Sequence, residues 1–405
     1  MPFFASVNKI EVKKIFIKKK KEAAILRYHP WVFSGAVERM ESLPKDGEPV
    51  ELYSVDNKYL ATGHYQDGSI CVRIFSFEKT TADQDFWNKK IKNAFSYRQQ
   101  LGLINNLSTT CFRLVHAEGD GLPGLIIDVY DKVAVVQCHS IGMHLSRQHI
   151  CTAVRHVFND QLEAVYDKSK ESLPKQYAAS VTNSYLYGQS NGYAIVHEND
   201  HLFKVNWEEG QKTGFFLDQR INRQMLGNYA KGQAILNTFA YSGGFSIYAL
   251  NNDARLVDSV DISQSAVHLI DENVAINEVT EKEQSSIKAD VLSFLKNIEF
   301  GAYDIIILDP PAFAKSVKKR HNAIQGYKRL NKLALDKIKA GGLLFTFSCS
   351  QVVDKALFDN TIVAAALESN RKVRIMHHLS QPPDHPVNLF HPEGSYLKGL
   401  VLQVE

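Results

Sequence analysis

Long apolar runs are missing from this sequence: stretches such as 305–308 and 343–347 are far too short to cross a bilayer. The first ten residues carry Phe3 and Phe4 but no apolar signal-peptide core, so no secretory leader is expected. Cysteine is scarce. The five present, Cys71, Cys111, Cys138, Cys151 and Cys349, form no Cys-x-x-Cys pair, which argues against a zinc knuckle and a disulfide framework. A reduced, cytoplasmic protein without a metal is expected. There is no internal repeat and no low-complexity tract. Nor does charge of one sign dominate, the formal net charge being +3 over 405 residues. With 44% hydrophobic and 22% charged residues, the composition is that of a globular protein, and the length favours two or three domains.

The charge is unevenly spread. Residues 1–31 hold seven Lys and one Arg against Glu11 and Glu22, and Lys18-Lys19-Lys20-Lys21 follows an apolar segment. Such a run is usually a solvated face. The alternative is a phosphate-contacting edge that binds nucleic acid by counterion release.

Between 8 and 80, short apolar runs (15–17, 31–33, 49–53, 59–61, 71–77) alternate with turn residues at Ser34-Gly35, 44–47, Asp56-Asn57 and Asp67-Gly68. That spacing predicts a small β-barrel. A helix is expected over 81–103, with Asp83 as its cap. Strands are expected at 112–115, 125–129 and 133–138, a helix at 144–157 and a loop at 171–181, making a small α/β domain to about 196. From about 232, strands at 234–239, 255–260, 286–288, 303–308 and 342–347 alternate with helices. This succession predicts a mainly parallel sheet covered on both faces.

Ligands of such sheets bind at the carboxyl ends of the strands. After the first strand comes Asn237-Thr238-Phe239-Ala240-Tyr241-Ser242-Gly243-Gly244-Phe245, whose small residues let backbone approach a ligand at a helix start. It is not the Gly-x-Gly-x-x-Gly of a dinucleotide site, and alone it also reads as a tight turn. The second strand ends Asp261-Ile262-Ser263, where a carboxylate can accept both hydroxyls of a ribose. Asp290, after the third strand, is a candidate for an adenine amino group. These features suit NAD or S-adenosylmethionine equally.

The fourth strand separates the two cofactors. It ends Asp309-Pro310-Pro311-Ala312-Phe313, and consecutive prolines stiffen the backbone and leave carbonyls free of competing amide donors. Such a turn can hold a flat base through Pro310, Pro311 and Phe313, which methyl transfer to a nucleobase needs and hydride transfer does not. The fifth strand ends Phe347-Ser348-Cys349-Ser350. A thiolate adding at carbon 6 of a pyrimidine activates carbon 5 toward an electrophilic methyl group. A lone strand-end cysteine is otherwise a small buried hydrophobe.

The sequence resembles the bacterial ribosomal large-subunit methyltransferase I family, 23S rRNA cytosine-C5 methyltransferases, over nearly its full length. The likeness runs through His29-Pro30-Trp31-Val32-Phe33-Ser34-Gly35-Ala36, Ala117-Glu118-Gly119-Asp120-Gly121-Leu122-Pro123-Gly124-Leu125 and Lys212-Thr213-Gly214-Phe215-Phe216-Leu217-Asp218-Gln219-Arg220. It continues through the 237–245 loop, the Asp309–Phe313 turn and Phe347-Ser348-Cys349-Ser350. It ends with Asp384-His385-Pro386-Val387 and Pro392-Glu393-Gly394. The resemblance implies an N-terminal PUA domain (1–82), a linker helix and central α/β domain (83–196), and a C-terminal class I, Rossmann-like methyltransferase domain (197–405). It implies S-adenosylmethionine as methyl donor, 23S rRNA as partner and Cys349 as covalent nucleophile; the short apolar runs add the expectation of no membrane association.

On the same reading, Gln219 or Arg220 reaches the methionine end of the cofactor, with a helix cap at Asp218 as the plainer alternative. Asn237, Phe239, Tyr241, Gly243, Gly244, Asp261, Ile262, Ser263, Asp290 and Asp309 complete the cofactor set, and Asp309 is a candidate for taking the carbon-5 proton. His29 and Trp31 are expected to pack the barrel rather than touch RNA.

The sequence departs from the family pattern at three points. Tyr166-Asp167-Lys168-Ser169-Lys170 lacks a nearby arginine, Ala312 stands where a lysine is expected although Lys315 follows, and Gln351 replaces a glycine. There is also no second cysteine in the turn to assist release. Methylation of a base nitrogen in rRNA, and a non-catalytic RNA-binding assembly factor, are the competing readings. The oligomeric state is open, a homodimer included.

Overall fold

The computed structural model describes residues 12–279, 282–314 and 316–405. Phe3, Phe4, the leader reading and Lys315 lie outside them. The described chain divides into two compact units. The first takes the described residues up to Ile104 with Arg113–Ser190 and Pro386–Gly394; the second takes Asn105–Phe112, Asn191–His385 and Ser395–Glu405.

In the first unit, β1 (Lys13–Ile17), β2 (Trp31–Phe33), β3 (Val37–Met40), β4 (Pro49–Ser54), β5 (Tyr59–Tyr65) and β6 (Ile70–Ser76) form one sheet in the order β2-β6-β5-β4-β1-β3. Alternate residues Ile15 and Ile17, Val50 and Leu52, and Val72 and Ile74 fill its core, as period-two strands require. Strand β3 has apolar residues only at its ends and is absent from the sequence reading; pairing of Met40 with Ile15 creates it. Lys19–Lys21 form an exposed 3-10 turn.

The predicted helix is Gln84–Gln100, and Asp83 caps it by accepting from the Phe86 N–H at 3.0 Å. A second sheet follows from β7 (Cys111–His116), β8 (Leu125–Tyr130), β9 (Val133–Cys138), β10 (Ala164–Asp167) and β11 (Ser184–Gly188), ordered β11-β10-β9-β8-β7. The helix expected over 144–157 is two, Ile141–Leu145 and Arg147–Val157. They break at Ser146, whose hydroxyl donates back to the Gly142 carbonyl at 2.9 Å. The 171–181 loop contains one short helix, Lys175–Ala178.

The second unit opens with a hairpin of β12 (Tyr193–Glu198) and β13 (His201–Asn206), turning at Asn199-Asp200, both with positive φ. Its main sheet contains β14 (Ala234–Thr238), β15 (Leu256–Asp261), β16 (Glu283–Lys288), β17 (Ile305–Leu308), β18 (Leu343–Ser348), β19 (Val373–Leu379) and β20 (Lys398–Val404), ordered β16-β15-β14-β17-β18-β20-β19. The first five named are parallel, and β20 alone runs against its neighbours.

Alternation decides the two faces of this sheet. Leu236, Ile306, Leu308, Leu344 and Leu402 pack with Leu295, Tyr327, Leu330 and Phe358 of the helices Val291–Asn297, Arg320–Lys337 and Lys355–Glu368. On the other face, Phe345 and Phe347 meet Tyr229 and Phe245 of the helices Arg220–Ala230 and Gly244–Asn251. The sheet is mainly parallel and doubly covered, as the sequence predicts.

Candidate functional site

The loop after β14 is held in a tight, left-handed course. Phe239, Tyr241 and Gly243 have φ of 54°, 48° and 72°. Each non-glycine residue there costs about 1–2 kcal/mol, which surrounding bonds must offset. The Tyr241 N–H donates to Asp261 Oδ2 at 3.0 Å, its hydroxyl to the Gly214 carbonyl at 3.0 Å, and Asn237 Nδ2 to Ser246 Oγ at 2.8 Å. A Cβ on Gly243 would sit 3.1 Å from Ile270, and one on Gly244 would press on Arg223 at 2.9 Å. Gly244 is therefore required by helix packing.

Asp261 is half-buried at the carboxyl end of β15. Its two oxygens each accept one backbone N–H, from Tyr241 and, at 2.9 Å, from Ser263, and each keeps a lone pair. Ile262 beside it is 69% exposed, a large apolar surface next to a polar acceptor. Ser263 caps the helix Gln264–Ile276. Asp290 caps Val291–Asn297 through the Ser293 N–H, and that hydrogen bonding holds its carboxyl below the ordinary range.

At the neighbouring strand ends lie the acid and the thiol. Asp309 follows β17 and accepts from Gln219 Nε2 at 2.9 Å. Burial, then the negative charge of Asp218, pushes Asp309 up to about 7, against the Gln219 bond and the Arg223 charge. Cys349 follows β18, is half-buried, and is pushed up to about 11 by burial and then by Asp309 and Asp218. The other four cysteines are buried.

Pro310 is buried, Pro311 exposed and Phe313 half-buried with its ring 4.6 Å from that of Tyr327. Gly326 makes room for that ring, since a Cβ would reach it at 3.0 Å. Ser350 Oγ donates to the Ala314 carbonyl at 2.8 Å and ties this turn to the thiol loop.

Two charged neighbours of Cys349 were not singled out as such from sequence. Lys398 arrives because β20 pairs it with Ser348. Its Nζ donates to the Ser350 carbonyl at 2.7 Å, burial lowers it to about 8, and its charge favours the thiolate. Asp218 is not the helix cap. The cap position of Arg220–Ala230 is Gln219, while Asp218 Oδ2 accepts from the Tyr396 hydroxyl at 2.6 Å and Oδ1 is buried without a partner. Arg220 is buried and committed to Asp384 at 2.8 Å. In the first unit, Trp31 donates its indole N–H to Glu118 at 2.9 Å and packs on His391, so it lies against a polar cluster rather than in the sheet core.

The sequence profile of the S-adenosylmethionine-dependent methyltransferase family matches residues 134–401, and that of a PUA-like domain matches 15–77. The chain is 38% identical over 395 residues to the ribosomal RNA large subunit methyltransferase I of Aeromonas hydrophila, covering 96% of this chain and 98% of that protein. It is 38% identical over 396 residues to the Vibrio vulnificus protein of the same name, covering 96% and 99%. This chain belongs to the ribosomal RNA large subunit methyltransferase I family. Among solved structures, the fold matches a Streptococcus mutans protein described as a SAM-dependent methyltransferase, with a TM-score of 0.81 at 24% identity over 97% of this chain and all of that one.

S-adenosylmethionine is the cofactor of this methyltransferase family, and the residues present fit it. Asp261 keeps two lone pairs for hydroxyls, and Ile262 offers a flat apolar contact. The buried, unpartnered Asp218 Oδ1 beside Asp309 leaves negative charge that a cationic ligand can match.

Proposed function

We propose that this methyltransferase acts on carbon 5 of a cytosine in 23S ribosomal RNA through a covalent bond to Cys349. The observation that carries this reading is a half-buried thiol under the opposed influence of Lys398 and Asp309, beside the Pro310-Pro311 turn. The names of the relatives support large-subunit ribosomal RNA as the target class.

Bound S-adenosylmethionine supplies a methyl group made electrophilic by its sulfonium. In the proposed sequence, the Pro310-Pro311 backbone and Phe313 hold the cytosine flat. Cys349 Sγ, as thiolate, bonds to carbon 6, and the ring electrons make carbon 5 nucleophilic. Lys398 stabilises that thiolate. Once carbon 5 carries the methyl group, Asp309 takes its proton, the carbon 5–carbon 6 double bond re-forms, and the bond to Sγ breaks. A carboxyl poised near 7 is ionised in part at neutral pH and basic enough to take that proton.

Asp261 is assigned the ribose hydroxyls, Ile262 an adenine face, and Asp290 with its remaining oxygen the adenine amino group. Asn237, Phe239, Tyr241, Gly243 and Ser263 shape the loop, and Gln219 acts through Asp309. Arg220, held by Asp384, contributes by positioning Gln219. The proposed modules are a PUA domain over 1–82, a linker helix and central domain over 83–196, and the catalytic domain over 197–405. The exposed Lys19–Lys21 turn suits phosphate contact by the first module.

The test is nucleoside analysis of ribosomal RNA from cells with and without the protein. Loss of one 5-methylcytidine is expected; loss of an N-methylated base instead overturns the reading.

A further inference from the structure

Methyl transfer makes no use of a cluster in the first unit formed by His29, His391 and Glu393. One ligand atom from each lies within 4.8 Å of the others. His29 Nε2 is 3.8 Å from one Glu393 oxygen and His391 Nε2 is 3.8 Å from the other, too far for hydrogen bonds. His391 is 2% exposed, and neither of its ring nitrogens has a hydrogen-bond partner. A buried polar group left unmatched costs about 1–3 kcal/mol, a cost that a bound ligand would offset.

The surroundings orient both rings. Trp31 packs on His391 with ring centroids 4.3 Å apart, and its indole is anchored on Glu118. His29 Nδ1 lies 3.2 Å from both the Trp31 backbone N–H, which donates to it, and the Trp31 carbonyl. Metal binding through Nε2 selects the tautomer with the proton on Nδ1, turned to the Trp31 carbonyl in place of the bond accepted from the Trp31 N–H. Glu118 faces His391 as a second negative charge.

We infer that His29, His391 and Glu393 form a binding site for a divalent transition metal, of the two-imidazole, one-carboxylate kind that suits zinc, and that the metal pins the Pro386–Gly394 segment to β2. Two imidazole nitrogens favour zinc over magnesium or calcium, which prefer oxygen. Tetrahedral zinc with bonds near 2.0–2.2 Å sets its ligand atoms roughly 3.4 Å apart. The 3.8 Å separations run to the two different Glu393 oxygens and the three ligand atoms lie within 4.8 Å of one another, so binding draws them in by up to about 1.4 Å, which the Glu393 side chain, 54% exposed, has room to supply in part. Three protein ligands leave a fourth position for water.

The test uses the full-length protein, stripped with a chelator and titrated with zinc against a chromophoric competitor, then with cobalt for its visible spectrum. One equivalent bound below micromolar concentration is expected, with a cobalt spectrum free of thiolate charge transfer. His29→Gln and Glu393→Gln are each expected to weaken binding at least about tenfold and to abolish the rise in melting temperature that zinc gives the native chain. Both variants are checked for native circular dichroism and unchanged S-adenosylmethionine affinity. No zinc uptake at micromolar concentrations, equal affinity in both variants, or a thiolate band assigning the metal to cysteine each overturns the inference.

Discussion

Gln219 donates its side-chain N–H to Asp309 Oδ2 at 2.9 Å, and its own carbonyl accepts from Asn222 Nδ2 at 2.6 Å. The amide is thereby fixed with its donor toward the acid, and the bond favours the ionised form of Asp309. Hydrogen bonds to charged groups contribute about 1.5–3 kcal/mol, so Gln219→Leu is expected to move the acid limb of the pH–rate profile up by about one to two units. Steady-state methyl transfer from pH 5 to 9 checks this. An unmoved limb would separate Asp309 from the rate.

Binding of the cofactor is expected to release protons. Asp309 stands near 7 in the free protein because of burial and then Asp218, and a cationic ligand nearby favours its ionised form. Around pH 6.5, calorimetry in buffers of different ionisation enthalpy is expected to show release of a fraction of one proton. The release vanishes above pH 8 and in Asp309→Asn.

The same raised acid affects stability. Its folded value lies above its unfolded one, so it stabilises the fold below the unfolded value and loses that contribution as pH rises through about 7. Urea melts of the native chain against Asp309→Asn are expected to converge at low pH and to favour the variant above 7.

Alkylation of Cys349 reads the electrostatics of the thiol directly. Lys398 favours the thiolate, while Asp309 opposes it. Lys398→Gln is expected to slow modification by iodoacetamide at pH 8 several-fold and Asp309→Asn to speed it, with mass spectrometry locating the label. The other four cysteines, being buried, are expected to react more slowly.

Glu198 and Arg223 form a buried bidentate pair at 2.8 and 2.7 Å, with Tyr248 also on Glu198. Removing one member leaves a charge unpaired, so Glu198→Ala is expected to destabilise the second unit by about 3–5 kcal/mol. Denaturant melts measure it.

What was legible from sequence was local. The 237–245 loop, Asp261 and the Asp309-Pro310-Pro311 turn announce themselves because strand, turn residue and acid are neighbours in the chain. Lys398 did not, because only the antiparallel pairing of β20 with β18 brings it beside Ser348 and hence Cys349. The hairpin of β12 and β13 and the strands β19 and β20 fall outside the strand–helix alternation that located the rest. Its place before a helix offers Asp218 only as an alternative cap, whereas its bond to Tyr396 comes from far along the sequence. His29 and His391, at opposite ends of the chain, meet only in the folded first unit.

The central claim is the bond between Cys349 and the cytosine. An rRNA fragment bearing 5-fluorocytidine at the target position, incubated with the protein and S-adenosylmethionine, tests it most directly, because fluorine cannot leave as a proton does. A complex that survives denaturing electrophoresis, maps to residue 349 and is absent in Cys349→Ala is predicted. Full methylation of unmodified rRNA by Cys349→Ala, with no trapped complex in the native chain, would contradict it.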